Sequence, residues 1–285
     1  MKTGLSPDFP IILDVDDVEI EWYTSQVSSS KSGRIRRLVA ACRLAELESL
    51  IPPYYKRFKY MWVVKENDRQ YGGLEDARVV GVPYYTPDGR PPDPVPPSDG
   101  RSVVLMVGSF YHRPNVEGLT WFAERVWPGV KQAVPDAVFR VVGPGLSDGT
   151  KARLDQPGID WIGPVPHVAS EYQRACFTIA PIWSGAGINV KVFESLAYGR
   201  PSVVTPFAFK GYEHCLKHGL SIHVAGEKED FASGCIRLLK DPPYVRGLAE
   251  AGRPAILDRF SFERFAGIIE RTVMDAVQLK TRSAE

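Results

Sequence analysis

Four cysteines in 285 residues (Cys42, Cys176, Cys215 and Cys235) lie far apart and form no CxxC pair. That scarcity argues against a disulfide framework or a zinc site and points to reduced thiols in a cytoplasmic protein. A net charge of consequence is also missing: the formal value is +1, which gives no global electrostatic reason to expect a nucleic-acid partner. No apolar run approaches the roughly 18 residues needed to span a bilayer, and the first residues lack the basic-then-apolar pattern of a signal peptide. Internal repeats are absent too. What remains is an ordinary globular composition, 44% apolar and 24% charged. At roughly 150 residues per domain the length suggests two domains of a soluble protein.

Prolines mark the boundary. "TPDGRPPDPVPPSDGR" (86–101) holds six prolines and two glycines, which rule out a helix or a central strand and read as a stiff linker. Before it, "FPIILDV" (9–15), "YMWVV" (60–64) and "ARVVGV" (77–82) read as short strands. "GRIRRLVAACRLAELESLI" (33–51) has helical spacing, with Leu38, Ala41, Ala45 and Leu47 among its apolar positions. After it, strands are expected at 102–108, 137–143, 176–182, 201–205 and 221–225, with a short segment at 158–163, alternating with helices at 116–134, around 167–175, within the stretch 184–205, and at 229–241 and 243–278. The alternation predicts an α/β fold with a Rossmann-type parallel sheet in residues 98–285, preceded by a smaller α/β domain in residues 1–97. Ligands of such sheets bind beyond the carboxyl ends of the strands.

"SGAGINVKVFESLAYGRPSVVT" (184–205) carries the sharpest signal. Gly185 and Gly187 let the backbone turn after a strand, and the amides of residues 187–190 open a helix whose N-terminal dipole favours an anion. Val190, Phe193 and Ala197 fall on one side, facing the sheet; Lys191, Glu194 and Tyr198 follow an i, i+3, i+7 stripe on another. A lysine in the first helical turn is unfavourable for the dipole unless an anion offsets it, as a diphosphate would. A carboxylate one turn on can accept hydrogen bonds from two vicinal hydroxyls, as on a ribose. A solvated i, i+3 ion pair would account for the same two residues. A dinucleotide fingerprint would not: GxGxxG fails here, with Val190 at the third glycine, and "GPGLSD" (143–148) lacks it as well.

"VLMVGSFYHRPNVEGLTWF", "VWPGVKQAVPDAVFRVVGPG" and the block from "IDWIGPVPHVASEYQRACF" through "PSVVT" resemble successive units of the C-terminal, donor-binding domain of group 1 (GT4-like) GT-B glycosyltransferases. The resemblance implies a hexosyltransferase-type enzyme that moves a sugar from a nucleoside diphosphate sugar to a carbohydrate or lipid-linked acceptor in polysaccharide or glycolipid synthesis. It implies retention of configuration and no cofactor or metal. The donor site so implied takes in Gly108, Ser109, Gly143, Ser184, Gly185, Gly187, Ile188, Asn189, Val190 and Glu194, the last holding the ribose. Two positions depart from the family. Eight residues before Glu194, where many members have a sugar-contacting glutamate, stands Ala186, and Ser109 stands where many have an arginine. Arg113 and Lys191 are the cations at hand for the phosphates.

"IILDVDDVEI" (11–20) ends a strand on Asp14-x-Asp16-Asp17. This is how GT-A transferases hold a divalent ion, and how haloacid-dehalogenase-like phosphatases present a nucleophile, although those continue with Gly-Thr where this chain has Asp17-Val18. Acidic residues at strand ends are also ordinary turn residues. In the GT-B reading the strand resembles a late strand of the N-terminal domain, and Asp16 or Asp17 meets a sugar; Asp17 joins Lys191 and Arg113 as a candidate catalytic group. Earlier strands of that domain then have no counterpart in residues 1–97. A split transferase completed by a partner chain, or a non-catalytic nucleotide-sugar-binding subunit, is the alternative. Residues 31–60 carry Lys31, Arg34, Arg36, Arg37, Arg43, Lys56, Arg57 and Lys59 among Tyr54, Tyr55, Phe58 and Tyr60. They are either a solvated helix face or a contact with an anionic membrane surface or a lipid-phosphate acceptor.

Overall fold

A computed structural model describes residues 10–28, 33–83, 93–94 and 102–283. The predicted linker lies outside these residues apart from Asp93 and Pro94, and so does Lys31. The chain forms two compact units: Met1–Pro83 with Gly185–Ile188 and Phe260–Glu285, and Tyr84–Ser184 with Asn189–Arg259.

In the first unit three parallel strands, β1 (Ile12–Val15), β2 (Tyr60–Val63) and β3 (Arg78–Val79), lie in the order β1-β2-β3. Helices α1 (Glu19–Ser28) and α2 (Arg34–Tyr55) pack with them, and Val15, Val18, Ile20, Leu47, Tyr55, Met61, Val63 and Leu74 form the core. The C-terminal helix Phe262–Ser283 groups with this unit, whereas the sequence placed all of 98–285 in one domain. Polar contacts join it there: Arg78 donates to Thr272 Oγ1 at 3.0 Å and pairs with Asp275, and the Tyr60 hydroxyl donates to the Asp275 carbonyl at 3.0 Å. The expected single helix over 243–278 breaks at Phe260, because the Ser261 hydroxyl caps a new one by accepting from the Arg264 amide at 3.2 Å.

The second unit begins with β4 (Val103–Val107), then α3 (Arg113–Trp121), a π-helical turn Phe122–Val126, and α4 (Trp127–Ala133). Pro128 follows the turn and has no amide to return to the preceding carbonyls, so the expected helix over 116–134 is interrupted there. Next come β5 (Val138–Val142), α5 (Asp148–Leu154), β6 (Ile159–Gly163), α6 (Ala169–Arg174), β7 (Phe177–Ala180), α7 (Val190–Ala197), β8 (Ser202–Val204), α8 (Pro206–Phe209), β9 (His223–Val224), α9 (Lys228–Lys240) and α10 (Pro242–Arg259). All six strands are parallel, in the order β6-β5-β4-β7-β8-β9. Alternate residues of β4 serve opposite faces. Val104 and Met106 join a large core with Phe122, Trp127, Phe139 and Phe231, while Val103 and Leu105 join Val142, Tyr172 and Ala175. A strand buried on both faces needs the unbroken apolar run VVLMV. Among the described residues, no helix is long and apolar enough to cross a membrane.

Candidate active site

The strand order reverses at β4, which has β5 on one side and β7 on the other, so the connections leaving β4 and β7 diverge and open a crevice at their carboxyl ends. The loops after β4 and β5 are knitted together there. The Gly108 amide donates to the Val142 carbonyl at 3.0 Å and the Phe110 amide to the Pro144 carbonyl at 2.8 Å. The approach requires a glycine at 143: with φ at 136°, a β-carbon there would lie 1.8 Å from the Gly108 oxygen.

Lys191, in the first turn of α7, reaches into this crevice. Its ammonium donates to Asn115 Oδ1 at 2.8 Å, and Asn115 Nδ2 donates to the Ser109 carbonyl at 2.8 Å. A β-carbon at Gly108 would touch both side chains, so the three residues form one corner. The lysine is only partly exposed; desolvation pushes it down to about 8, and the Glu194 charge pulls it back up. Glu194 bonds elsewhere: its carboxylate accepts from the Tyr172 hydroxyl at 2.7 Å. Burial raises its pKa, while that hydroxyl and Lys191 lower it. Tyr172 also stacks on Tyr198, ring centroids 4.5 Å apart, which completes the predicted Lys191–Glu194–Tyr198 stripe.

α7 is held from beneath. Val192, Phe193, Leu196 and Ala197 are buried against the sheet; Val190, expected among them, is 46% exposed because it stands at the helix's first position, on the rim. Ser195 Oγ lies 2.6 Å from Thr178 Oγ1 and donates to the Arg200 carbonyl, and Arg200 Nε donates to the Tyr172 carbonyl at 2.8 Å. At the helix start the buried Tyr212 hydroxyl donates to the Asn189 carbonyl at 2.9 Å. Ser184, just before the glycine turn, is buried. Arg113 does not join the lysine corner: its guanidinium pairs with Glu117 at 2.6 Å on the exposed face of α3. Along the same rim Gly143 also lines a small pocket of about 60 Å³, together with Phe110, Leu146, Lys151, Trp161 and Pro164.

The glycine turn Gly185–Ile188 is held by first-unit side chains. Ser25 Oγ accepts the Gly185 amide at 3.2 Å, so that amide is already engaged. Asp17 Oδ1 stands 2.3 Å from where a β-carbon of Gly187 would be, and the φ of 69° at that residue also demands glycine. Lys65 Nζ donates to the Gly187 carbonyl at 2.8 Å. Asp14, within β1, has its pKa raised by desolvation and then by Asp16. Among the described residues no group of three or more His, Cys, Asp or Glu is placed to hold a metal ion. Asn115, Tyr172, Ser25 and Lys65 are contacts the sequence did not single out.

Residues 101–241 match the family model for glycosyl transferases group 1. A curated protein of Klebsiella pneumoniae, an uncharacterized 44.6 kDa protein in the cps region, is 25% identical over 155 residues, covering 52% of this chain and 39% of its own length. Among solved structures, TarM superposes with a TM-score of 0.67 at 12% identity, covering 86% of this chain and 47% of TarM. WaaG, a glycosyltransferase of lipopolysaccharide biosynthesis, gives 0.65 at 18%, covering 92% and 75%. Anabaena HepE, solved with UDP and glucose, gives 0.63 at 13%, covering 93% and 71%. At these identities the likeness establishes a GT-B-type fold, and the chain spans less than half the length of the curated relative and of TarM.

Proposed function

From the match of residues 101–241 to the group 1 glycosyl transferase family model, we propose that the second unit binds the nucleoside diphosphate end of a nucleotide sugar whose sugar is passed to a carbohydrate or lipid-linked acceptor. The observation that carries the reading is Lys191, a desolvated ammonium in the first turn of α7, where the helix dipole opposes it unless an anion arrives. A diphosphate is that anion. Glu194, one turn on and held by Tyr172, is the acceptor for ribose hydroxyls. The pocket beside Gly143, lined by Phe110, Leu146, Trp161 and Pro164 with Lys151, is the candidate seat of the base. UDP in the HepE structure supports the same ligand class.

Sugar transfer passes through an oxocarbenium-like transition state in which charge grows on the departing diphosphate. Lys191, steadied by Asn115, and the first amides of α7 meet that charge and are set before reaction. Retention and independence of a metal are what the family resemblance implies.

Calorimetric titration with UDP, GDP, ADP and their common sugar conjugates tests this. One diphosphate is expected to bind well above its nucleoside, and binding by none rejects the site. Turnover of the bound donor by the purified chain separates an enzyme from a nucleotide-sugar-binding subunit.

A second reading concerns the surface. On α2 the exposed Ile35, Leu38, Val39 and Cys42 share one helical face, flanked by Arg34, Arg36 and Arg43. Apolar residues between arginines suit the headgroup boundary of an anionic bilayer, where a lipid-linked acceptor would lie. Co-sedimentation with phosphatidylglycerol but not phosphatidylcholine vesicles is expected, lost on Leu38→Asp with Val39→Asp; equal partition to both vesicle types, or to neither, rejects it.

A further inference from the structure

A buried ionic cluster lies in the first unit. Lys65 follows β2 and its side chain is fully buried; the side chains of Glu21 on α1 and Asp68 are 1% and 0% exposed. The ammonium hydrogen bonds to Glu21 and stands 3.1 Å from Asp68 Oδ1, and Asp68 Oδ2 accepts the Lys65 amide at 3.1 Å. Its remaining hydrogen bond goes to the Gly187 carbonyl at 2.8 Å. Three ionisable groups are costly to bury, and an apolar trio of similar volume would hold such a core at least as well. An apolar trio could not donate to a carbonyl.

We propose that Lys65 is a positioning residue for the diphosphate loop: carried by Glu21 and Asp68, it fixes the Gly187–Ile188 peptide so that the Ile188 amide is presented to the ligand. The geometry follows from the planar trans peptide, in which the carbonyl of one residue and the amide of the next point opposite ways. Drawing the Gly187 oxygen toward Lys65 therefore turns the Ile188 amide away from the cluster. Ser25 clamps the other end of the turn through Gly185, and the close carboxylate of Asp17 leaves no room for a side chain at 187. Two residues beyond Ile188 α7 begins, so an error in this peptide is passed directly to the first helical amides. The binding consequence rests on the donor-site reading above; the anchoring itself does not.

Lys65→Met alone leaves two buried carboxylates without their cation and can fail to fold, so the variant to use is K65M/E21Q/D68N, which removes all three charges together. Hydrogen exchange without nucleotide tests the anchor. In the variant the segment 185–190 should exchange at least tenfold faster while β2 and α2 keep the parent rates. Calorimetry tests the consequence. With the tightest of UDP, GDP and ADP, affinity should fall about tenfold, while affinity for the matching nucleoside changes less than twofold. Unchanged exchange at 185–190 overturns the anchor. Faster exchange with unchanged diphosphate affinity overturns its role in binding, as does an equal loss for diphosphate and nucleoside. If the parent chain binds no nucleoside diphosphate, the donor-site reading fails, and the exchange result still decides whether Lys65 holds the loop.

Discussion

Replacing Lys191 by methionine should cost ligand affinity and return stability, and the two effects separate by pH. The folded value of about 8 against an ordinary 10.5 means that the charged form is disfavoured in the apo protein by up to about 3 kcal/mol. At neutral pH roughly nine in ten molecules still carry the charge. The sign is fixed by proton counting: between about 8 and 10.5 the folded state holds fewer protons than the unfolded one, so the parent's stability rises with pH across that window. Lys191→Met should lack that rise and should melt above the parent at pH 7. A charged hydrogen bond to a phosphate contributes about 1.5–3 kcal/mol net, so the same variant should bind the preferred nucleoside diphosphate roughly 10- to 150-fold more weakly. Parent affinity should decline as the pH is raised above 8, where the free lysine loses its proton, and the variant's should not. Calorimetric titrations at half-unit steps from pH 6.5 to 9.5, with thermal melts in the same buffers, read all three effects. Parent-like diphosphate affinity in Lys191→Met would refute the assignment of the lysine to the leaving group. A variant that loses affinity but also melts below the parent would refute the view that the lysine is a burden without its ligand.

Glu194→Gln keeps a partner for the Tyr172 hydroxyl but weakens acceptance from a vicinal diol. Affinity for the diphosphate should fall about tenfold, and the preference over its 2′-deoxy form should shrink in a paired titration. At Gly143, alanine adds left-handed strain and a carbon 1.8 Å from the Gly108 oxygen. Together these should destabilise the protein by roughly 2–5 kcal/mol, seen as a lower midpoint in urea. An unaltered midpoint would mean that the β4 and β5 loops part freely.

Much of the second unit was legible because its strands are unbroken apolar runs and its helices carry short apolar repeats. A parallel sheet buried on both faces leaves that signature and little else. The first unit was harder to read. α1, over EIEWYTSQVS, was missed because Glu21, Ser25 and Gln26 are among its buried positions, and polar residues turned inward erase the apolar periodicity that marks a helix. α5 was missed for a different reason: a seven-residue helix that buries Leu154 alone has no repeat to show.

The site divides along the same line. Gly187, Lys191 and Glu194 stood out as candidates because a glycine turn, a helix start and a strand end lie within one continuous stretch of chain. Asn115 is 76 residues from the lysine it holds, Tyr172 is 22 from Glu194, and Lys65 is 122 from the carbonyl it anchors. No local pattern reports such pairings, since each partner taken alone has a bland reading as a helix-start asparagine, a core tyrosine or a surface lysine. Arg113 is the converse case. Proximity in sequence to the β4 loop suggested a phosphate ligand, yet Glu117, one turn along α3, offers its guanidinium a carboxylate at 2.6 Å. A cation four residues from an acid on one helix satisfies itself locally. Lys191 has an acid three residues on and does not, because Tyr172 already holds Glu194 and Asn115 takes the ammonium. The lysine therefore keeps its place in the crevice, held by Asn115 and not by its neighbouring acid.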